Sequence, residues 1–541
     1  MFVERTATQI TEGKRLRGKT VTRADPYSRP VHDIVIVGAG TAGCVLASRL
    51  TENPDLSVLL IEAGSRSRKV ETRIPAAFSK LYRSTVDWGD ATVPQRELDN
   101  REIVFPRGRA LGGSAVINAT IVLRGHPTDY DAWAADGWSW AEAERAFRRS
   151  GQGAFPLTDL RDRHVLTEAF VHAAHAAGIP LNDDLNGVDN AGVGFVPVSQ
   201  RRGRRFSVVD GYLRPASRRP NLTVVTGALV TRVLVERGRA RGVAYRLPSD
   251  AGQDEEALAE REVVLSCGAI GTPHLLQLSG IGPREPLERA GVEVVRELSG
   301  VGANLLDHLA GGVFALTRGA DTLASAESVR NLLIWALFGR GPLTSNVGEA
   351  AAFVRTRPNL AAPDLELLFA PVLFEDEGLK RPTEDGLTLG VVLLQPQSSG
   401  TVTLRSADPL DLPAIDPRYL SDRGGDDIRT LLQGLRLARR VLAQEPLAGY
   451  VASELLPGEA ARTDEALVAH LRATSQTLYH PVATCRMGTD PRTVVDPRLR
   501  VRGIEALRIV DASVIPRLPS GHTNWPTVMI AERAAELIAA S

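Results

Sequence analysis

Two histidines near the C-terminus, His480 in YHPVATCRMG and His522 in PSGHTNWPTVMIAERAAELI, carry the side chain that exchanges a proton near neutral pH. Pro481 disfavours helix at His480 and fixes an extended backbone there. His522 stands on a Pro/Gly-rich loop just ahead of a helical run from about Thr527. A loop histidine is a better candidate for chemistry than a core one, although each taken singly is more often structural.

Nearly the whole chain away, residues 31–64 read VHDIVIVGAGTAGCVLASRLTENPDLSVLLIEAG. The pattern predicts a strand over 33–37, a glycine turn, a helix to about Thr51 and a second strand over 57–61 ending in Glu62. Gly38 permits the sharp turn, Gly40 lets backbone N–H groups approach a pyrophosphate, and Gly43 allows close packing of helix on sheet. The helix N-terminus then faces a diphosphate, and Glu62 can accept hydrogen bonds from ribose hydroxyls. A glycine turn alone is weak evidence. Here strand, helix and acid are all in place, without saying which dinucleotide is bound.

The elements that position these residues need a large frame. A chain of 541 residues predicts two substantial domains, which can be interleaved rather than sequential. Its 43% hydrophobic and 24% charged residues are those of a globular protein. Lys plus Arg equals Asp plus Glu at 64 each, which argues against general attraction to nucleic acid or anionic membrane and suits a small-molecule enzyme. Cys44, Cys267 and Cys485 lack CxxC spacing, so no disulfide framework or metal site is indicated and a reducing cytoplasm is the simpler assumption. Residues 1–30 are polar, lack the apolar core of a secretory signal and read as an arm. No apolar run reaches the length of a membrane span; 332–338 is apolar but short and reads as part of a buried helix.

Along the chain, 86–94 and 102–105 read as short extended pieces, Gly112-Gly113-Ser114 as a second close-approach turn, and 116–123 as a buried apolar segment. Residues 129–150 read as helical with Trp133, Trp138 and Trp140 as packing anchors, and 166–177 as an amphipathic helix with His172 and His175 solvated. The run RRGRR, 201–205, reads as a solvated loop. Strands are predicted at 222–226, 230–236, 242–246 and 262–266, the last ending in Cys267-Gly268 before a helix whose His274 reads as a satisfied core histidine. Residues 310–473 lack glycine fingerprints and read as an inserted α+β substrate domain, with a helix at 428–442. An apolar strand over 507–510 ends in Asp511 and can return to the sheet beside the first glycine turn.

Taken together the chain resembles the glucose–methanol–choline (GMC) family of flavin-dependent oxidoreductases. The resemblance rests on GAGTAG with Glu62, GRALGGSAVIN, SCGAIGTPHLLQLSGIGP, VGANLLDH, HPVATCRMG and VDASVIPRLPSGHTNWPTVMIAERAA in that order. It implies an α/β fold: a Rossmann-like FAD-binding domain (31–64, 101–125, 200–310 and 475–541) with an interleaved α+β lid and substrate domain on an antiparallel sheet (65–100, 126–199 and 311–474). It implies an ADP half on Gly38, Gly40, Thr41, Ala42, Gly43, Glu62 and Ala63. The flavin ring would be held by Gly113, Asn118 and Ala119 with Asp511, Ala512, Asn524 and Thr527. Further cofactor contacts are implied at Trp88, Arg109, Gly112, Ser114, Val230, Cys267, Gly268, Tyr479 and Pro526.

The same resemblance assigns His480 and His522 as the catalytic pair for oxidising an alcohol CH–OH to a carbonyl, one as base and one as orienting group. It leaves open which is the base. Oxygen or another acceptor would receive the electrons. Some relatives hold FAD covalently through a histidine where this chain has Ile117, so dissociable FAD is expected. Ala115 and Ala483 replace a serine and a glycine, small for small. Glu349 lies in a pocket-lining region of relatives, although an ordinary helix or loop carboxylate is the simpler reading. The alternatives are a lyase or decarboxylase of the same fold, against which both histidines speak, and a catalytically lapsed flavin-binding partner protein.

Overall fold

The computed structural model describes residues 31–248 and 253–540; the arm expected over 1–30 lies outside them. Strand Val31–Val37, helix Thr41–Leu50 and strand Val58–Glu62 form the opening unit. Both strands read as near-continuous aliphatic runs because both faces of the sheet are covered. Gly38 adopts a φ of +94°, and a Cβ there would lie 2.5 Å from the Ser266 carbonyl oxygen. At Gly43 a Cβ would lie 1.9 Å from the Gly38 carbonyl oxygen, so only glycine lets the helix sit this close.

This unit is the centre of a parallel sheet. Strand Val31–Val37 pairs with Val58–Glu62 on one side and with Glu255–Leu265 on the other; Leu222–Thr226 extends it beyond Val58–Glu62. The 255–265 strand is longer than its predicted core. Its first half pairs antiparallel with Arg239–Arg246, which pairs with Leu229–Glu236. Its second half pairs parallel with the late strand Leu507–Ile509, so the C-terminal chain does return to the sheet.

A second, antiparallel sheet runs in the order Val451–Leu456, Leu309–Thr317, Gly386–Leu393, Leu365–Ala370, Ala350–Val354, Gly192–Phe195. Its strands follow the period of two. Val313, Leu367, Leu389 and Val391 pack beneath helices Val165–Ala176 and Asp426–Leu442. Their neighbours Phe314, Leu368, Gly390 and Val392 face the other way, into the cavity between the sheets. The architecture is thus a Rossmann-like unit with an interleaved α+β unit on an antiparallel sheet.

Three local expectations are corrected. Residues 201–205 are a hairpin of Gln200–Arg201 and Arg204–Arg205 whose last arginine is buried, because Arg205 finds carbonyl and amide acceptors on the facing loops. Helix Val329–Phe338 exists, but only Trp335 is buried. Residues 129–150 break into Pro127–Asp131 and Trp140–Gly151, with Trp133 and Trp138 buried in the intervening turn.

Buried Glu532, on the C-terminal helix Asn524–Ala539, ties the Rossmann half together. It accepts from Arg49 at 2.9 Å, Arg149 at 2.7 Å and the Tyr212 hydroxyl at 2.7 Å. Removing one partner of a buried ion network leaves the others desolvated and unpaired. Glu532→Ala is expected to lower unfolding free energy by about 3–5 kcal/mol, read from denaturant midpoints. Glu532→Gln, which keeps an acceptor oxygen, should recover part of that loss.

Candidate active site

Three helices begin at the wall of one cavity of about 600 Å³: Thr41–Leu50, Gly268–Leu278 and Asn524–Ala539. Thr41–Leu50 and Asn524–Ala539 carry no side-chain cap and turn the positive end of their dipoles to the cavity, whereas the first amide of Gly268–Leu278 is taken by Asp511. Thr41 Oγ1 donates to Asn524 Oδ1 at 2.9 Å, tying the first helix to the third. Gly40 is open to the cavity: a Cβ there would meet nothing nearer than the Ser266 carbonyl oxygen at 3.9 Å.

The expected cofactor residues fall into groups along this wall. At the first turn lie Gly38, Gly40, Thr41 and Ala42, with Glu62 and Ala63 beside them. Trp88, Arg109 and Val230 line the same cavity, the Arg109 guanidinium 4.9 Å from the Trp88 ring centre. The second turn contributes Gly113, Ser114, Asn118 and Ala119; the third contributes Cys267 and Gly268 with Asp511 and Ala512. Tyr479, Asn524 and Thr527 complete the set. Gly43, Gly112 and Pro526 do not line the cavity. Gly43 and Gly112 hold turns behind it, Gly112 N–H donating to the Ala39 carbonyl at 2.7 Å, and Pro526 is buried in the first turn of its helix.

Glu62 accepts from the Ala39 and Gly64 amides, each at 2.8 Å, one on each carboxylate oxygen. Both oxygens keep a further lone pair, and burial pushes the carboxyl up to about 7. Uncapped helix ends, an open glycine turn and a buried acceptor fit a dinucleotide with a central diphosphate. Asp511 is occupied by the chain itself: it accepts from Gly268 N–H at 2.9 Å, Thr272 Oγ1 at 2.6 Å and Ser513 N–H at 2.8 Å. Asn118 is held by the unexpected Arg205, whose Nη1 donates to Asn118 Oδ1 at 2.6 Å. Burial lowers that guanidinium to about 10. His274 is not a core histidine: it is half-buried on the cavity wall, and burial followed by the nearby Arg107 charge lowers it to about 4.

At the other end His480 and His522 stand together, ring centres 4.6 Å apart. The His480 backbone N–H donates to Asp307 Oδ1 at 2.8 Å. Asp307 is buried and also accepts from Tyr419 and Thr477, each at 2.5 Å, which fixes the loop. The His480 ring meets buried His308, Nδ1 to Nδ1 at 3.0 Å, and His308 Nε2 lies 3.1 Å from the Leu394 carbonyl oxygen. A carbonyl only accepts, so His308 Nε2 carries a proton. Burial, then the His522 charge, lowers His308 to about 3, so it is neutral and its Nδ1 is bare. His480 must therefore donate from Nδ1, which leaves its Nε2 lone pair free. Burial, then His522, then His308, holds His480 well below 6.5. His522 Nε2 faces Glu366 Oε1 at 3.3 Å, and the other Glu366 oxygen is buried without a partner.

His308 and Glu366 escaped sequence reasoning. His308 closes VGANLLDH, a motif noted without a role, and Glu366 is the one acid in the buried strand LELLFA, facing away from Leu365 and Leu367. Glu349 does not line the cavity. It is buried and accepts from His164 N–H, Thr167 and Ser345, the simpler of its two readings.

Family models described as GMC oxidoreductase match residues 32–310 and 396–531. An uncharacterised GMC-type oxidoreductase of Mycobacterium bovis is 47% identical over 526 residues, covering 94% of this chain and 99% of that one. Alcohol dehydrogenase [acceptor] of Pseudomonas putida is 40% identical over 530 residues, covering 94% and 96%. Among solved structures, pyridoxine 4-oxidase from Mesorbium loti superposes with a TM-score of 0.86 at 31% identity, covering 94% and 99%. With both family models matched in order over most of its length, on a fold and a glycine-lined cavity that agree, this chain belongs to the GMC oxidoreductases.

Proposed function

We propose that the protein is an FAD-dependent alcohol oxidoreductase that converts CH–OH to a carbonyl. The observation that carries this reading is the chain of contacts from His480 Nδ1 through His308 to the Leu394 carbonyl, which assigns His480 a donating Nδ1 and a bare Nε2 on a ring that lines the cavity. Such a nitrogen can take the hydroxyl proton. FAD, when bound, supplies the two-electron acceptor for the carbinol hydride, and oxygen or another acceptor reoxidises it.

The chain's own residues do the rest. His522, its Nε2 turned to Glu366, offers its remaining nitrogen to orient the alcohol oxygen. Gly40, Thr41 and Glu62 would hold the ADP half, and Asn118, Asn524 and Thr527 the ring half. Phe314, Leu368, Val392 and Leu478 make the facing wall apolar and exclude water. Among the cavity-lining residues the carboxylates are Glu62 and Asp511, both at the glycine turns. With no carboxylate on the facing wall, the favoured substrate is a neutral, largely apolar alcohol rather than a cationic one. Ile117, buried on the wall, offers no nucleophile for a covalent link, so FAD is held by non-covalent contacts.

Three outcomes are expected. Apolar primary alcohols added anaerobically should bleach the yellow holoprotein, and His480→Ala should slow bleaching by about 10²–10⁴-fold while FAD stays bound; unchanged rates in that variant would sink the assignment. The neutral form of His480 is the active base and its pKa is depressed. The bleaching rate should therefore stay level through neutral pH and fall only well below 6.5; an inflection at or above 6.5 would remove His480 from that role. Acid precipitation should leave all of the yellow chromophore in the supernatant, and colour kept in the pellet would mean a covalent link.

A further inference from the structure

Helix Val329–Phe338 carries a face that the fold leaves uncovered. Inward, Trp335 packs with Ile74, Ala77 and Leu343, and its Nε1 donates to the Gly203 carbonyl at 2.9 Å. Outward, Val329, Leu332, Leu333 and Leu337 recur at the spacing of one helical face, with Phe338 beside them. These five side chains are 44–76% exposed. The helix is nevertheless well defined: Ser328 Oγ accepts from Asn331 N–H at 3.1 Å at its start, and Gly339 ends it in the left-handed region at φ +60°.

The rim of this face is cationic. Arg330 is exposed on the helix itself. Arg204 lies 4.6 Å over the Trp335 ring and donates to the Ala336 carbonyl at 2.9 Å. Arg161 donates to the Gly339 carbonyl at 3.2 Å, and Arg202 is exposed in the turn of the adjoining hairpin. Residues 328–348 contain no acid. Two nearby acids are engaged: Glu327 pairs with Lys80 at 2.5 Å and Asp162 with Arg340 at 2.8 Å. A chain with 64 charges of each sign thus gathers four arginines, at 161, 202, 204 and 330, around one apolar face.

We propose that this face docks on an anionic lipid bilayer, its Leu, Val and Phe side chains entering the interface while the arginines meet headgroup phosphates. No helix among the described residues is long and apolar enough to cross a membrane, so the contact is peripheral. Charge excludes the other occupants. A second copy would set one arginine rim against another, and residues 1–30 carry seven Lys and Arg against three Asp and Glu, the same sign as the rim. The helix also stands on residues Pro75–Leu81, whose Phe78 lines the cavity, so docking would bring the apolar cavity wall close to lipid.

The test is sedimentation of full-length, FAD-loaded protein with vesicles of equimolar phosphatidylglycerol and phosphatidylcholine, and with phosphatidylcholine alone. The anionic vesicles should carry the protein down at least about tenfold better, and added salt should release it. Leu333→Glu with Leu337→Glu, and separately Arg330→Glu, should each cut partition about tenfold or more with the flavin spectrum and melting midpoint unchanged. Failure of the wild type to sediment with anionic vesicles overturns the proposal, as does equal binding by the Leu333/Leu337 variant. A dimer dissolved by those substitutions, without vesicle binding, would assign the face to a second copy. Vesicle binding that appears only in a chain lacking residues 1–30 would assign it to that segment.

Discussion

Parallel pairing at the centre of the first sheet is the constraint on which the rest depends. Strands Val31–Val37, Glu255–Leu265 and Leu507–Ile509 run the same way, in register at Val37, Leu265 and Ile509. The chain therefore leaves the sheet three times at one edge, at Gly38, Ser266 and Val510. Ligands gather at the carboxyl edge of such sheets because the loops and following helix N-termini converge there. Two glycine-dependent approaches make the convergence tight: Gly43 against the Gly38 carbonyl, and Gly113, where a Cβ would lie 2.8 Å from Gly40 Cα. The wall opposite is supplied by a sheet with the other periodicity, whose alternate residues leave an apolar surface once the helices have covered the first face.

The split between what sequence revealed and what it hid follows range. The opening strand–turn–helix was legible because all its determinants lie within about thirty residues of one another. The antiparallel sheet was legible in kind but not in detail. Alternation tells which residues share a face, but not that His522 would stop 3.3 Å from Glu366. Arg205 was misplaced because a charge run is judged by its neighbours in sequence, whereas its acceptors Thr72, Ala115 and Asn118 come from two earlier loops. Residues 332–338 were misplaced for the opposite reason. A helix apolar on both sides gives no periodic signal, and nothing local says that only the Trp335 side would be covered. His274 likewise sits in a helix whose sequence is apolar all round, and its half-exposure comes from the cavity rather than from its own element.

Burial shapes the histidine end more than any single contact. His308, His480 and Asp307 are all buried, and each is satisfied by a chain element distant in sequence: Leu394, His308 and the residues from Thr477 to His480. Low polarity makes an unpaired group expensive, so such a network admits few alternative arrangements. The backbone bond from His480 to Asp307 and the ring bond to His308 fix both the position and the tautomer of one imidazole.

Those same terms decide where a proton can rest. With ring centres 4.6 Å apart, a charge on His522 adds to burial in depressing His480. At rest, burial keeps His480 neutral and its lone pair available. A positive charge gained by buried His480 would be answered through His522 by Glu366, one of whose oxygens is buried without a partner. A carboxylate one ring removed from His480 would balance a proton gained there without holding one on that ring beforehand. Glu366 directly against His480 would instead hold a proton on that ring and remove the lone pair.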